Sequence, residues 1–197
     1  MRPEQLDSIG KLATLYIALL DELDLSDVTV IGNSIGGWIC AEMAVLGSPR
    51  IARVILVDAV GIEVAGHPVA DFFSLTMDQV ADLSYHKPDA FRINVAALPP
   101  AQLAVMAGNR AALAAYAGTS MADPTLRARL ESIRVPALVV WGESDRIADP
   151  DYGRAFAGAI RGSRFDLLSE TGHVPQVESP QRLLSAIKAF EASTSPS

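Results

Sequence analysis

Four apolar segments separated by helical patterns constrain the fold of this chain more than any other feature. They span residues 28–31, 53–58, 137–141 and 163–168. Continuous apolar runs of this length are typical of strands buried on both faces, and strands that alternate with helices form parallel sheets. We therefore predict an α/β fold with a mostly parallel sheet of about four strands, flanked by helices.

Helical patterns surround these segments. Apolar side chains recur at helical spacing over residues 4–24, and a second helix is predicted at 35–46. Three prolines follow a residue whose side chain can cap a helix, in Asp123-Pro124, Asp149-Pro150 and Ser179-Pro180. Because this pairing marks helix starts, we predict further helices at 124–132, 150–160 and 180–191.

The second and third strands are separated by residues 61–133, which is too long for a single crossover connection. A capping box from Thr76 to Gln79 and an alanine- and leucine-rich stretch at 100–117 predict helices within this segment. We predict that it forms a helical cap or lid over a core made of residues 1–60 and 134–192. The low-complexity residues 193–197 are predicted to be a disordered tail.

Composition excludes several classes of function. The net charge of -7 disfavours nucleic-acid binding, which needs a basic face. The single cysteine, Cys40, excludes an internal disulfide and a cysteine-based zinc site. No apolar run reaches the roughly 18 residues of a membrane span, and no signal peptide is visible. We therefore expect a cytoplasmic protein without membrane partners.

Residues 32–36, Gly-Asn-Ser-Ile-Gly, form a G-x-S-x-G motif between a predicted strand and a predicted helix. A sharp turn there would expose the Ser34 hydroxyl above the sheet, and Gly32 and Gly36 would let the strand and helix approach closely. The backbone N–H of Ile35, at the start of the helix, is a candidate oxyanion donor. The alternative interpretation is an ordinary turn that happens to be rich in glycine.

A serine nucleophile needs a base, and a histidine base needs a carboxylate that fixes its tautomer. Asp145 follows the third predicted strand and His173 follows the fourth, so both lie at the edge of the sheet where Ser34 is expected. Taken alone, Asp145 could be a loop or helix-capping carboxylate, and His173 a surface histidine. Asp58, at the end of the second strand, is the alternative acid.

The motifs at residues 32–38, 139–146 and 171–178 resemble those of α/β-hydrolases with a helical cap, and the resemblance extends over residues 4–191. That group includes esterases, C–C bond hydrolases of ring-cleavage products, and cofactor-free haloperoxidases. The resemblance implies that Ser34 is the nucleophile, His173 the base and Asp145 the acid. It implies no cofactor and does not fix the substrate. The apolar inserted segment and the low positive charge favour a small-molecule substrate, either a small, largely apolar ester or a ketone activated for C–C cleavage. No cluster of His, Asp and Glu in the sequence indicates a metal.

Further residues are candidates for the substrate pocket, the surface or the packed core. Asn33 and His67 are candidates to line the substrate pocket, and His86 is predicted at the surface. Phe72, Phe73, Leu75 and Met77 could face the substrate or form the core of the inserted segment. A packing role is predicted for Trp38, Trp141 and Cys40.

The chain departs from the family pattern before Ser34, where only one helix and one strand are predicted. The first strands of the full fold, and the loop that supplies the second oxyanion N–H, are not recognisable there. The outer edge of strand 28–31 would then be unpaired, which favours homo-oligomers formed through that edge. An internal start codon, a fragment, or a short form that pairs with another chain would each account for this. The alternatives to a hydrolase are a non-catalytic binding protein and an inactive fragment.

Overall fold

The computed structural model describes residues 6–194, and its central feature is a four-stranded parallel sheet. The strands are β1 (Val28–Asn33), β2 (Ile51–Val57), β3 (Ala137–Gly142) and β4 (Arg164–Leu168). They lie in the order β1-β2-β3-β4, and each pairs in parallel with its neighbours. The predicted α/β fold is confirmed, since every predicted strand overlaps one of these four.

Within residues 6–194, eight α-helices flank or connect the strands. They are α1 (Ile9–Glu22), α2 (Ile35–Val45), α3 (Met77–Ser84), α4 (Pro100–Ala117), α5 (Leu126–Arg129), α6 (Pro150–Gly158), α7 (Pro175–Glu178) and α8 (Pro180–Thr194). Short 3₁₀ turns occupy Pro88–Ala90, Val95–Ala97 and Leu130–Ser132. No helix of this part of the chain combines the length and the apolar character that a membrane span requires.

Side chains at the helix starts account for most of these boundaries. The predicted capping box begins α3, because Thr76 and Gln79 each accept the other's backbone N–H. The Asp149 carboxylate caps the start of α6 by accepting the backbone N–H groups of Asp151 and Tyr152 in its first turn. The first helix begins at Ile9, after Ser8 as N-cap, rather than at residue 4. Residues 4 and 5 lie outside the described part of the chain.

Two boundaries near the C-terminal half differ from the prediction. The helix predicted from residue 124 begins at Leu126, because the Asp123 carboxylate accepts the N–H and hydroxyl of Thr125 in a turn that precedes the helix. Ser193 and Thr194, predicted as part of a disordered tail, continue α8. The rest of that predicted tail, 195–197, lies outside the described residues.

Strands β2 and β3 are apolar almost without interruption because helices cover both of their faces. Alternate side chains of a strand point to opposite faces of the sheet. On one face, Val54 and Val139 belong to a layer that includes α1, α2 and α6. On the other face, Ile55 and Leu138 belong to a layer that includes α8.

Residues 61–133, called the insertion below, leave the core after β2 and return before β3. Gly61 forms a parallel bridge with Ala122, and the Asp123 N–H donates to the Gly61 carbonyl at 2.9 Å. The chain therefore leaves and re-enters the core at adjacent backbone positions. The longest helix of the insertion, α4, buries only Ala117 among its residues.

Strand β1 lies at one edge of the sheet and pairs only with β2 among the strands of residues 6–194. Ile31 on this strand is 50% exposed. Leu15 and Leu19 on the neighbouring helix α1 are exposed as well, and so is Leu23 at its C-cap. The described structure therefore has an apolar surface beside an unpaired strand edge.

Candidate active site

Ser34 lies at a sharp turn between β1 and α2. Its backbone has φ +55° and ψ -120°, a conformation that residues other than glycine rarely adopt. A Cβ atom added to Gly32 would lie 2.1 Å from the Gly36 carbonyl oxygen, so only glycine fits where the strand meets the helix. The chain turns sharply at Ser34 between the strand and the helix, as expected of a nucleophile elbow.

The predicted need for a glycine at position 36 is wrong. A Cβ added to Gly36 would meet no atom within 4 Å. The tight position is Gly37, where an added Cβ would lie 2.5 Å from the Cβ of Ala59. The close packing of α2 against the core therefore falls one residue later than the motif suggests.

The structure brings Ser34, His173 and Asp145 together in a continuous hydrogen-bonded series. The Nε2 atom of His173 lies 2.9 Å from Ser34 Oγ, and its Nδ1 atom lies 2.7 Å from Asp145 Oδ2. With the Nδ1–H donating to the carboxylate, Nε2 is free to accept the serine proton. The three residues come from the ends of three different strands, which the parallel sheet places at one edge.

The loop after β3 fixes the Asp145 carboxylate. Its Oδ1 atom accepts the backbone N–H groups of Ile147 at 2.8 Å and Ala148 at 3.2 Å, which leaves Oδ2 for His173. The Asp145 side chain is fully buried. Its orientation is therefore set by the protein before any substrate binds, which is the condition for effective electrostatic stabilisation.

Asp58 is also buried at this edge of the sheet. Its Oδ1 atom accepts the backbone N–H of Gly142 at 2.8 Å. Burial and the charge of Asp145 raise the pKa of Asp58 well above its ordinary range. One side-chain atom each of Asp58, Asp145 and His173 lies within 4.8 Å of the others, a convergence that the sequence did not indicate. These residue types could hold a metal ion, but the contact between His173 and Asp145 has the length of a charge-assisted hydrogen bond.

Asn33 joins the serine turn to the His173 loop. Its Nδ2 group donates to the carbonyls of His173 at 2.9 Å and Val57 at 3.2 Å. Its Oδ1 atom accepts from the Gln176 side chain at 3.1 Å. Asn33 does line the cavity described below, but its amide is occupied in holding the His173 loop in place.

Glu178, at the end of α7, holds the His173 loop against the insertion. Its carboxylate accepts the N–H groups of Gly172 at 2.7 Å, Lys87 at 3.0 Å and His86 at 3.1 Å. This role was not predicted from the sequence. The position of Glu178 at the end of the motif at 171–178 is the feature that could have indicated it.

The insertion also supports the site through residues 84–86. The Ser84 carbonyl accepts the backbone N–H of His173 at 2.7 Å. His86, predicted at the surface, is half-buried, and its Nδ1 atom lies 2.8 Å from Ser144 Oγ, next to Asp145. The prediction for His86 was wrong because the insertion folds back onto the loop after β3.

A cavity of about 400 Å³ is lined by both Ser34 and His173. The insertion supplies most of its apolar lining, which includes Phe72, Met77, Val80, Ile93, Leu113 and Met121. Among the residues of 6–194 that line it, none is a lysine, arginine, aspartate or glutamate. Ser34 and His173 therefore face an apolar space.

His67 does not line this cavity, so its predicted role in the pocket is wrong. Its Nδ1 atom lies 2.8 Å from Asp149 Oδ2, at the start of α6. This hydrogen bond raises the pKa of His67 above its ordinary value. The histidine is held at the partly exposed junction between the insertion and the core.

The residues predicted to have packing roles are buried. Trp141 is fully buried and its indole N–H donates to the Ala148 carbonyl at 2.9 Å. Trp38 and Cys40 belong to the larger apolar layer, and burial raises the pKa of the Cys40 thiol to about 12. This cysteine therefore remains a neutral thiol at physiological pH.

The pattern of the Alpha/beta hydrolase family matches residues 2–186. The chain belongs to the alpha/beta hydrolase family. A solved structure of a serine hydrolase involved in carbazole degradation, the CarC enzyme, superposes on this chain with a TM-score of 0.74. The two share 20% sequence identity, and the match covers 98% of this chain and 74% of that one, which supports the fold.

Two curated relatives resemble this alpha/beta hydrolase in sequence. The 2-hydroxy-6-oxononadienedioate/2-hydroxy-6-oxononatrienedioate hydrolase of Paraburkholderia xenovorans (strain LB400) is 26% identical over 193 residues, covering 88% of this chain and 65% of that protein. The epoxide hydrolase EphH of Mycobacterium tuberculosis (strain ATCC 25618 / H37Rv) is 27% identical over 192 residues, covering 87% of this chain and 89% of EphH. This chain thus spans less than two thirds of the length of the Paraburkholderia relative.

Proposed function

We propose that this alpha/beta hydrolase is a serine hydrolase that cleaves a small, largely apolar ester or an activated C–C bond by acyl transfer. The observation that carries the proposal is the hydrogen-bonded series from Asp145 through His173 to Ser34, set beside an apolar cavity. The relatives described above are hydrolases by name, which supports the class of reaction.

The proposed reaction begins when His173 Nε2 takes the Ser34 proton as the serine oxygen attacks a carbonyl carbon. Asp145 holds the Nδ1–H and stabilises the imidazolium that forms. The Ile35 N–H, at the start of α2, donates to the oxyanion, and the N-terminal end of the helix dipole adds to this stabilisation. His173 then protonates the leaving group, and a water molecule activated by His173 releases the acyl product.

The cavity favours neutral substrates over dianionic ones. The name of the Paraburkholderia relative describes a dicarboxylate, whose burial needs cationic or hydrogen-bonding partners. Here the lining that residues 6–194 provide contains no cationic lysine or arginine side chain. A neutral ester or ketone with an apolar acyl portion therefore suits this lining better than a dicarboxylate.

We further propose that the insertion acts as a cap over the core formed by residues 1–60 and 134–192. Its side chains supply most of the apolar lining of the cavity. The unpaired edge of β1, with Ile31 half exposed, is the surface proposed for self-association. Size-exclusion chromatography of the chain and of an Ile31→Lys variant tests that surface, and a monomeric parent chain would contradict it.

A fluorophosphonate probe tests the proposed function directly, because it labels an activated serine and ignores an inert one. We expect labelling of the intact chain, with Ser34 in the modified peptide identified by mass spectrometry. A neutral activated ester should then be turned over in preference to one that carries a terminal carboxylate on its acyl chain. An unlabelled chain would overturn the proposal and favour a non-catalytic binding protein or an inactive fragment.

A further inference from the structure

Two buried carboxyl groups meet at the ends of β2 and β3, and the proposed reaction uses only Asp145. Asp58 is fully buried, and its backbone has φ +44°, in the left-handed region. Its Oδ1 atom accepts the Gly142 N–H, but its Oδ2 atom has no hydrogen-bond donor within residues 6–194. A buried carboxylate oxygen without a donor is destabilising. The ionised form of Asp58 is therefore poorly accommodated.

The neighbouring carboxyl group differs in the number of donors that it receives. Asp145 accepts from the N–H groups of Ile147 and Ala148 and from His173 Nδ1, whereas within residues 6–194 Asp58 accepts from Gly142 alone. Two adjacent carboxyl groups in a dry site do not both ionise, and donors stabilise the charge of the group that they face. The distribution of donors therefore favours the negative charge on Asp145 and the proton on Asp58.

We propose that Asp58 is a positioning residue, held as a neutral carboxylic acid whose Oδ2–H donates a hydrogen bond to Asp145. The inference rests on the proposed function, because it assigns Asp58 to the support of the Asp145–His173 pair. The titratable groups that face Asp58 in the described structure are Asp145, from the loop after β3, and His173, from the loop after β4.

This assignment gives the orphaned oxygen of Asp58 a partner and gives Asp145 a fourth hydrogen bond. The additional donor fixes the plane of the Asp145 carboxylate, so that Oδ2 stays directed at His173. Because Asp58 is neutral, it does so without placing a second negative charge beside the imidazole.

Two substitutions of Asp58 test whether its hydrogen-bond donor, rather than a negative charge, supports Asp145. In Asp58→Asn, the amide can accept from Gly142 and donate to Asp145. In Asp58→Ala, both hydrogen bonds are lost, and we expect kcat to fall by about 10- to 100-fold through misplacement of Asp145, with a much smaller change in KM. Asp58→Asn should restore most of that loss. If Asp58→Asn is as impaired as Asp58→Ala, the proposal is wrong.

The acid limb of the kcat/KM profile distinguishes a neutral Asp58 from an ionised one. With Asp58 neutral, Asp58→Asn removes no charge, and the acid limb should stay within about 0.3 pH unit of the parent. With Asp58 ionised, the same substitution would remove a negative charge near His173 and move the limb about one pH unit or more toward acid. That shift would overturn the proposal.

Infrared spectroscopy tests the protonation state without relying on turnover. The Ser34→Ala variant keeps the carboxyl pair, so its difference spectrum against Ser34→Ala/Asp58→Asn isolates Asp58. We expect the band of a protonated carboxylic acid at neutral pH. The matched control is Asp166→Asn in the same background, which removes an aspartate paired with Arg164 and should show only a carboxylate band. A carboxylate band for Asp58 refutes the proposal, whereas an unlabelled Ser34 in the probe experiment refutes the proposed function alone.

Discussion

The loops at the strand ends and the insertion between β2 and β3 are built differently. Asp145 and His173 are 2% and 7% exposed, and buried hydrogen bonds fix their side chains. The insertion buries little of its longest helix and presents apolar side chains to the cavity. We therefore expect the strand-end loops to determine the rate of the chemical step and the insertion to determine which substrates reach it.

The largest effect is expected when the proposed nucleophile is removed. Ser34→Ala should lower turnover of an activated ester by at least about four orders of magnitude, because the attacking oxygen is lost. Ser185→Ala, on the exposed face of α8, is the matched control. Steady-state kinetics on both variants decide the matter, and parental turnover in Ser34→Ala would refute the assignment.

The next largest effect is expected at the acid. Asp145→Asn should lower kcat by up to about four orders of magnitude, since an amide favours the wrong histidine tautomer. The exposed Asp151→Asn serves as the control. A larger loss in Asp58→Asn than in Asp145→Asn would transfer the role of the acid to the end of β2.

A substitution in the insertion should change selectivity and spare the chemistry. Leu113→Trp fills part of the cavity, so kcat/KM for a long-chain ester should fall by about 10- to 100-fold, with an acetyl ester affected far less. Leu103→Trp lies on the same helix but outside the cavity lining, and should alter neither. Equal losses for both esters would mean that the insertion contributes to the chemical step.

Glu178 connects the two regions, so its replacement should affect both. Glu178→Gln turns one acceptor oxygen into a donor facing backbone N–H groups, and should lower the free energy of unfolding by about 1–3 kcal/mol. We also expect a fall in kcat of roughly tenfold, because the His173 loop loses its support. Denaturant unfolding and kinetics, with the exposed Glu22→Gln as control, measure both effects.

The smallest effect is expected at the junction held by His67 and Asp149. The hydrogen bond raises the pKa of His67 above its ordinary value of 6.5, so its contribution to stability is complete below that value and is lost as pH rises through the raised pKa. Both groups are partly exposed, so the effect is screened. The Tm difference between the parent chain and His67→Ala should shrink from about pH 5.5 to about pH 9. A pH-independent difference would indicate packing alone.

The elements of the core were predictable because their signals are local. Apolar runs mark the four strands, and the turn at Ser34 is recognisable from a few adjacent residues. Contacts between distant segments were not predictable in the same way. The meeting of Asp58 with Asp145 depends on the register between β2 and β3, and the bonds of Glu178 to residues 86–87 depend on how the insertion folds back.

The predicted pocket residue His67 illustrates the same limit. The sequence places His67 near the start of the insertion, but it does not show where the imidazole points. The side chain points toward Asp149, which is distant in the sequence. Phe72 and Met77 were predicted with two alternatives, and the fold of the insertion places both against the cavity.

The bridge between Gly61 and Ala122 has a consequence for how such a protein changes over time. Because the intervening chain departs and returns at neighbouring backbone positions, replacing it with a segment of another length only requires the two ends to meet, and the entropy of loop closure grows slowly with length. The sheet need not adjust, whereas the loops at the strand ends would need new partners for the hydrogen bonds that residues 84–87 supply. A whole recognition surface can therefore be exchanged as one unit between related proteins, provided that the incoming segment supplies those partners.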